Sequence, residues 1–181
     1  MSGDEAVLAG EGFVLRPWRA DDAVSLQRHA DDAEVSRFLS DRFPFPYTAA
    51  DAAAFLAGPV SGRLVRAIEI DGAAVGGIGA EPGHDIFRLT ASIGYWLGRA
   101  YWGRGLMRRA VDHWSTHLLA RYPFERLEAR VAAANPASAR MLEHAGFHLE
   151  GRQRRAMVKR GEILDVLVYV RLRSAQDDRP L

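Results

Sequence analysis

Residues Arg88 to Arg109 read RLTASIGYWLGRAYWGRGLMRR, a strand-like run, a short loop carrying Gly103 and Gly105, and the opening of a helix. Thr90 to Leu97 is rich in β-branched and aromatic residues, the composition of a strand. Beyond the loop, Met107, Ala110, Val111, Trp114 and Leu118 fall at i, i+3, i+4, i+7 and i+11, the stripe of an amphipathic helix. Strand, glycine loop and helix in that order aim unpaired backbone N–H groups, and the positive end of the helix dipole, at whatever lies outside the loop. That is a site for a phosphate.

Working towards the N-terminus, Leu64 to Ala80 gives two strands joined by a tight turn at Asp71-Gly72, followed by a loop over Glu81 to Asp85. Thr48 and Asp51 form a capping arrangement that opens a helix over Ala49 to Ala57, and Gly58 and Pro59 end it. Asp41 to Tyr47, DRFPFPY, holds two prolines that forbid regular structure and three aromatics that pack over something. Weaker helices are expected over Ala20 to Ala30 and Ala33 to Leu39, and a short strand over Phe13 to Arg16. Towards the C-terminus, Arg126 to Ala132 alternates as a strand, and Asn135-Pro136 starts a helix with Asn as N-cap and Pro at N1. Gly146 ends that helix in the left-handed conformation. Phe147 to Val158 and Ile163 to Leu172 close the chain as two strands around an Arg160-Gly161 turn. This order is α+β, one mixed and mostly antiparallel twisted sheet of about six or seven strands flanked by helices.

The 181 residues, 48% of them apolar, suit one domain over residues 1–181, with 1–12 and 173–181 expected to be loosely ordered. A net charge of +1 provides no field to draw nucleic acid or an anionic membrane, so the partner is expected to be small. The absence of cysteine removes disulfides, thiolate metal sites and a cysteinyl intermediate. No run approaches the roughly 20 apolar residues of a membrane span, and Met1 to Gly10 lacks the basic start of a signal peptide. The simplest reading is a cytoplasmic protein with no metal and no membrane partner, and a homodimer stays open.

Spacing restricts what the glycine loop can hold. A P-loop needs G-x-x-x-x-G-K-[ST], and no Lys-Ser or Lys-Thr pair occurs in the chain. A dinucleotide fingerprint needs a third glycine where Arg108 stands. What remains is a Gly-x-Gly turn, and GYWLGRAYWGRGLM followed by LEARVAAANPASARMLEHAGFHLEG resembles the GNAT superfamily of N-acyltransferases, most closely its ribosomal-protein N-terminal acetyltransferase branch. The resemblance covers Gly76 to Leu172 well and the earlier part only through its order of elements.

It implies an enzyme that moves the acetyl group of acetyl-CoA directly to a primary amine, on a protein N-terminus or a small molecule. A non-catalytic acyl-CoA-binding sensor or partner domain of the same fold is the alternative. By resemblance, the backbone of Gly103, Arg104, Gly105 and Leu106, with Trp102, Met107 and Arg108 beside it, holds the CoA pyrophosphate. The family's usual Gln or Arg three residues before the first glycine is Ala100 here. Also by resemblance, a bulge near Tyr95 to Leu97 lets the pantetheine arm pair with the backbone of Trp96 and Leu97, and an N–H there polarises the thioester carbonyl. Core or rim packing is the competing reading for Trp96, Tyr101 and Trp102. Asn135 contacts the CoA arm in the family, although it would cap its helix in any case. The serine matching Ser138 is the family's candidate acid for the departing thiolate, although it can equally bond back to the helix end.

The base is unknown from sequence. The positions where relatives carry a glutamate base are Met157 and Arg130 here, which leaves Glu69, Glu81, Asp165, His84, His144 and His148 as titratable candidates. Arg152, Arg154, Arg155, Lys159 and Arg160 form a basic cluster that fits an acidic acceptor, a CoA phosphate or a solvated strand face.

Overall fold

Both dipeptides read as tight turns are left-handed at each residue, Asp71 and Gly72 at φ 50° and 80°, Arg160 and Gly161 at 51° and 82°. Two consecutive positive φ values make the turn whose twist matches antiparallel strands. The turns join β3 (Leu64–Ile70) to β4 (Ala73–Pro82) and β7 (His148–Lys159) to β8 (Glu162–Leu172). The computed structural model describes residues 6–58 and 64–174, so residues 1–5, Pro59 and residues 175–181, on which parts of the sequence reading fall, lie outside the described residues. The other strands are β1 (Leu8–Gly10), β2 (Phe13–Arg16), β5 (Thr90–Leu97) and β6 (Arg126–Ala132), and the helices are α1 (Ala23–Ala30), α2 (Ala33–Ser36), α3 (Ala49–Ala57), α4 (Leu106–Arg121) and α5 (Pro136–His144).

The strands form an eight-stranded sheet in the order β1-β2-β3-β4-β5-β6-β8-β7. β1 with β2, β2 with β3, β6 with β8 and β7 with β8 are antiparallel, whereas β5 and β6 run parallel, with Thr90, Ala91 and Ser92 opposite Arg126, Leu127 and Glu128. The α+β class is as expected. The strand beyond those expected is β1, where Leu8, Ala9 and Gly10 pair with Leu15, Val14 and Phe13 in a stretch expected to be loose. Two further differences are small. β4 runs on to Pro82, and α2 stops at Ser36, one turn long, with the Asp32 carboxylate accepting from the N–H groups of Glu34 and Val35. No helix among the described residues is long and apolar enough to cross a membrane.

The chain divides into two compact units, Met1–Gly79 with Tyr95–Ala110, and Ala80–Gly94 with Val111–Leu181. Within the first, Phe13, Leu15, Ala67, Ile68 and Val75 are buried along the strands, and Leu26, Ala30, Tyr47 and Ala52 form a cluster under Trp18, Phe43, Leu56 and Trp96. This unit also buries Arg16, whose guanidinium donates to both Asp22 oxygens at 2.7 Å and, through Nε, to Glu69. Burial works to raise the Asp22 carboxyl, but the hydrogen bonds from Arg16 and from the Arg19 N–H outweigh it and hold the group below the usual carboxylate range.

Within the second unit, the α4 stripe is buried as read, Val111, Trp114 and Leu118 being fully enclosed, and β6 buries Leu127, Ala129 and Val131. Arg126 donates to Glu150 and Glu128, and Arg130 to Glu128, which sets a row of ion pairs on the outer face of β6. Arg173 is anchored rather than loose, its N–H on the Glu125 carbonyl at 2.9 Å and its guanidinium on the carbonyls of Phe124 and Tyr122.

Candidate active site

The loop between β5 and α4 needs glycine for its conformation. Gly103 has φ 73° and Gly105 φ 68°, values that a residue with a Cβ adopts at a cost of roughly 1–2 kcal/mol. Crowding is not the reason, since a Cβ at Gly103 would meet nothing within 4 Å and one at Gly105 only the tip of Arg109 at 3.2 Å. The first bond of α4 runs from the Arg109 N–H to the Gly105 carbonyl at 3.2 Å. The N–H groups of Leu106, Met107 and Arg108 therefore have no partner inside the helix and point out of its positive end.

Side-chain contacts from Trp102, Arg104 and Arg109 hold this loop in shape. The Trp102 indole N–H donates to the Leu97 carbonyl at 2.7 Å, closing the loop onto the end of β5. The Arg104 guanidinium lies 5.6 Å above the Tyr101 ring, a cation–π distance. Arg109 donates to the carbonyls of Arg104 at 3.4 Å and Glu11 at 3.2 Å, so it braces the loop, while Arg108 and Arg104 stay exposed. Trp102→Phe keeps an aromatic side chain and loses the hydrogen bond, worth about 1 kcal/mol. We expect acetyl-CoA affinity to fall about fivefold in titration calorimetry, with thermal stability shifted by no more than about 3 °C.

Trp96 answers to packing. Its indole lies on β4, where a Cβ at Gly77 would come within 2.7 Å of the indole nitrogen, and Phe43 packs against it edge-on at 5.3 Å. Phe43 in turn packs at a tilt against Tyr47 at 5.0 Å, and the Asp31 carboxylate accepts the Tyr47 N–H at 2.9 Å. The aromatic loop therefore packs over Trp96, as its composition suggested.

In the second unit, β6 delivers the chain to Asn135, whose side-chain oxygen accepts the Ser138 N–H at 3.2 Å, with Pro136 at the start of the helix. Gly146 at φ 81° ends α5, and the Phe147 N–H returns to the Leu142 carbonyl at 3.0 Å, a glycine C-cap as read from the sequence. Ser138 sits half-buried in the first turn, above the buried Ala139 and Leu142.

Residues 13–148 match the family model described as an acetyltransferase (GNAT) domain. The chain belongs to the GNAT acetyltransferase family. Among its relatives is the probable N-acetyltransferase YjcK of Bacillus subtilis, 44% identical over 62 residues, and the match spans about a third of either chain (34% of each). The fold is shared with Mycobacterium smegmatis RimJ, solved in complex with CoA-disulfide, at 24% identity and a TM-score of 0.82 over 97% of this chain and 90% of that one. It is shared also with the ribosomal-protein-S5-alanine acetyltransferase of Vibrio fischeri, at 19% identity and a TM-score of 0.81 over 94% and 98% of the two chains.

Three of the six candidate bases of this GNAT chain are occupied. Glu69 accepts from Arg16 and faces Arg19 at 3.7 Å. Asp165 accepts the Arg155 N–H at 2.8 Å and the Arg152 guanidinium at 2.7 Å, and these bonds hold its carboxyl below the usual range. The His144 ring is tied to the Arg140 carbonyl at 2.7 Å. Glu81, His84 and His148 are exposed. Tyr47, 4% exposed in the cluster of the first unit, has its phenol pushed up to about 12 by burial and then by the Asp51 charge, so that it keeps its proton.

Proposed function

We propose that this single-domain GNAT protein transfers the acetyl group of acetyl-CoA directly to a primary amine, on a protein N-terminus or a small molecule. One observation carries the reading: the Trp102 to Arg108 loop, with two left-handed glycines and the unpartnered first turn of α4, fits a diphosphate through backbone N–H groups, and Arg104 and Arg108 add charge at its rim. That RimJ of the same fold was solved with a CoA derivative supports the same class of donor here. Acetyl-CoA supplies an activated acetyl thioester, and the chain's own residues bind, orient and move protons around it. The backbone of Trp96 and Leu97 is assigned to the pantetheine arm and the thioester carbonyl, Asn135 to the arm, and Ser138 to protonation of the departing thiolate. With no cysteine in the chain, a cysteinyl acyl-enzyme is excluded; a cytoplasmic location is part of the same proposal.

The reading is tested by mixing the protein with acetyl-CoA and a panel of amines and following free thiol. Turnover is expected, and Ser138→Ala should lower kcat about 100-fold while CoA affinity stays within about twofold. No binding of CoA in calorimetry would overturn the proposal. A second reading, an acyl-CoA sensor without catalysis, draws on the occupied state of Glu69, Asp165 and His144, and it predicts tight CoA binding with no thiol released on any amine.

A further inference from the structure

We infer that the bulged, arginine-bearing segment of β7 selects an acceptor that carries carboxylates close to its reactive amine. The inference rests on the amine-acetylating reading above and names the acceptor's chemistry.

The β7–β8 register passes from Gln153 opposite Val166 to Met157 opposite Leu164, so Arg154, Arg155 and Ala156 all stand against Asp165 alone. Such a bulge re-aims side chains that a regular strand would alternate between faces. Arg155 lies at its centre with φ 53°, a left-handed conformation unusual for a residue with a long side chain and held only where the surroundings enforce it. Asp165 does the enforcing, with one carboxylate oxygen on the Arg155 N–H and the other on the Arg152 guanidinium.

The Asp165 carbonyl also accepts the Ala133 N–H at 2.8 Å, two residues before Asn135. One residue thus ties the bulge to the end of β6 that carries the Asn135 helix. Arg154 and Arg155 are exposed, and neither guanidinium makes a hydrogen bond or ion pair among the described residues. The Asp165 carboxylate is taken up by the Arg152 guanidinium and the Arg155 N–H, which leaves the exposed guanidinium forks of Arg154 and Arg155 on a bulge that is tied to the segment leading into Asn135. A planar guanidinium matches a carboxylate through two parallel hydrogen bonds. The donor's phosphates are assigned to the Trp102 to Arg108 loop, which has exposed arginines of its own, so the β7 arginines are assigned to the acceptor.

The probes are two hexapeptides with free N-termini, one rich in Asp and Glu, the other its counterpart with Asn and Gln, each offered to the full chain saturated with acetyl-CoA. The acidic peptide is expected to be acetylated with at least about tenfold higher kcat/KM at low salt, and the difference to shrink as salt screens the exposed charges. The double variant Arg154→Gln, Arg155→Asn removes both charges while asparagine tolerates the left-handed position. It should bring the two peptides within about twofold of each other and leave the KM for acetyl-CoA unchanged. Equal treatment of the two peptides by the unaltered protein overturns the inference. So does a double variant that raises the KM for acetyl-CoA and keeps the peptide preference, since the cluster would then serve a donor phosphate. If neither peptide is acetylated, the enzymatic reading fails instead, and calorimetry of both peptides with the CoA-bound protein still decides the inference by the same tenfold difference in affinity.

Discussion

Gly105→Val should weaken acetyl-CoA binding about 100-fold or more, with a much smaller effect on folding. Valine is branched at Cβ, and at φ 68° such a residue is a steric outlier. The chain relieves the clash by rotating the Gly105 peptide, which supplies the carbonyl for the first bond of α4 and sets the direction of the N–H groups that follow. Hydrogen bonds from backbone to a charged phosphate contribute roughly 1.5–3 kcal/mol each. Misdirecting two of them gives at least about 3 kcal/mol, or about two decades in affinity. The loop is exposed, so the fold can absorb the change, and the expected loss of melting temperature is about 3–6 °C. Titration calorimetry with acetyl-CoA reads the first quantity and thermal denaturation the second. An affinity within threefold of the unaltered protein would mean that the diphosphate sits elsewhere.

The largest effect on stability is expected at a residue with no role in binding. Asp22→Asn removes one anion from the buried Arg16, which is 2% exposed and donates to both Asp22 oxygens. Breaking a buried pair from one side typically costs 3–5 kcal/mol, and because Glu69 still faces Arg16 the lower end applies, about 3 kcal/mol. For a chain of this size that lowers the melting temperature by roughly 6–12 °C. The pH dependence follows from the lowered carboxyl of Asp22. A group whose folded pKa lies below its unfolded value near 3.8 stabilises fully above that value and loses the contribution as pH falls through the folded one. The gap between the unaltered protein and Asp22→Asn should therefore be widest at pH 6–7 and close progressively below about pH 4. Urea unfolding at pH 7, 5, 4 and 3 measures it, and a gap that persists undiminished at pH 3 would contradict the assignment.

What could be read from the sequence was what local rules control. The Asp71-Gly72 and Arg160-Gly161 turns, the α4 stripe, and the Asn135, Pro136 and Gly146 punctuation of α5 each depend on a few neighbouring residues, and each appears where the sequence put it. The turn at Gly103 and Gly105 belongs with them, because its two glycines report their own dihedral angles. The contacts that set electrostatics and shape join residues far apart in the chain. Arg16 meets Glu69 across 53 positions, and nothing near Arg16 announces this: alternation along β2 puts Phe13 and Leu15 inside and would send residue 16 outwards, yet Arg16 is buried with them. The Asp165 clamp on Arg155 depends on a register slip between β7 and β8, which no period in either strand encodes. Leu8 to Gly10 read as a loose end because a three-residue strand has no pattern of its own and exists by pairing with β2.

The seat of Trp96 on Gly77 orders the history of this wall. A Cβ at 77 would come within 2.7 Å of the indole at 96, so the two positions are epistatic and a lineage leaving this state meets the lower cost by changing residue 96 first. Shortening Trp96 first leaves a cavity, a defect that a core tolerates at a graded cost. Enlarging Gly77 first leaves a clash with the indole, and with Trp18 behind it at 3.2 Å. Change therefore begins at residue 96, releases Phe43 and the loop stacked on it, and reaches 77 last, so homologues that differ at 77 should be those whose aromatic loop has already diverged.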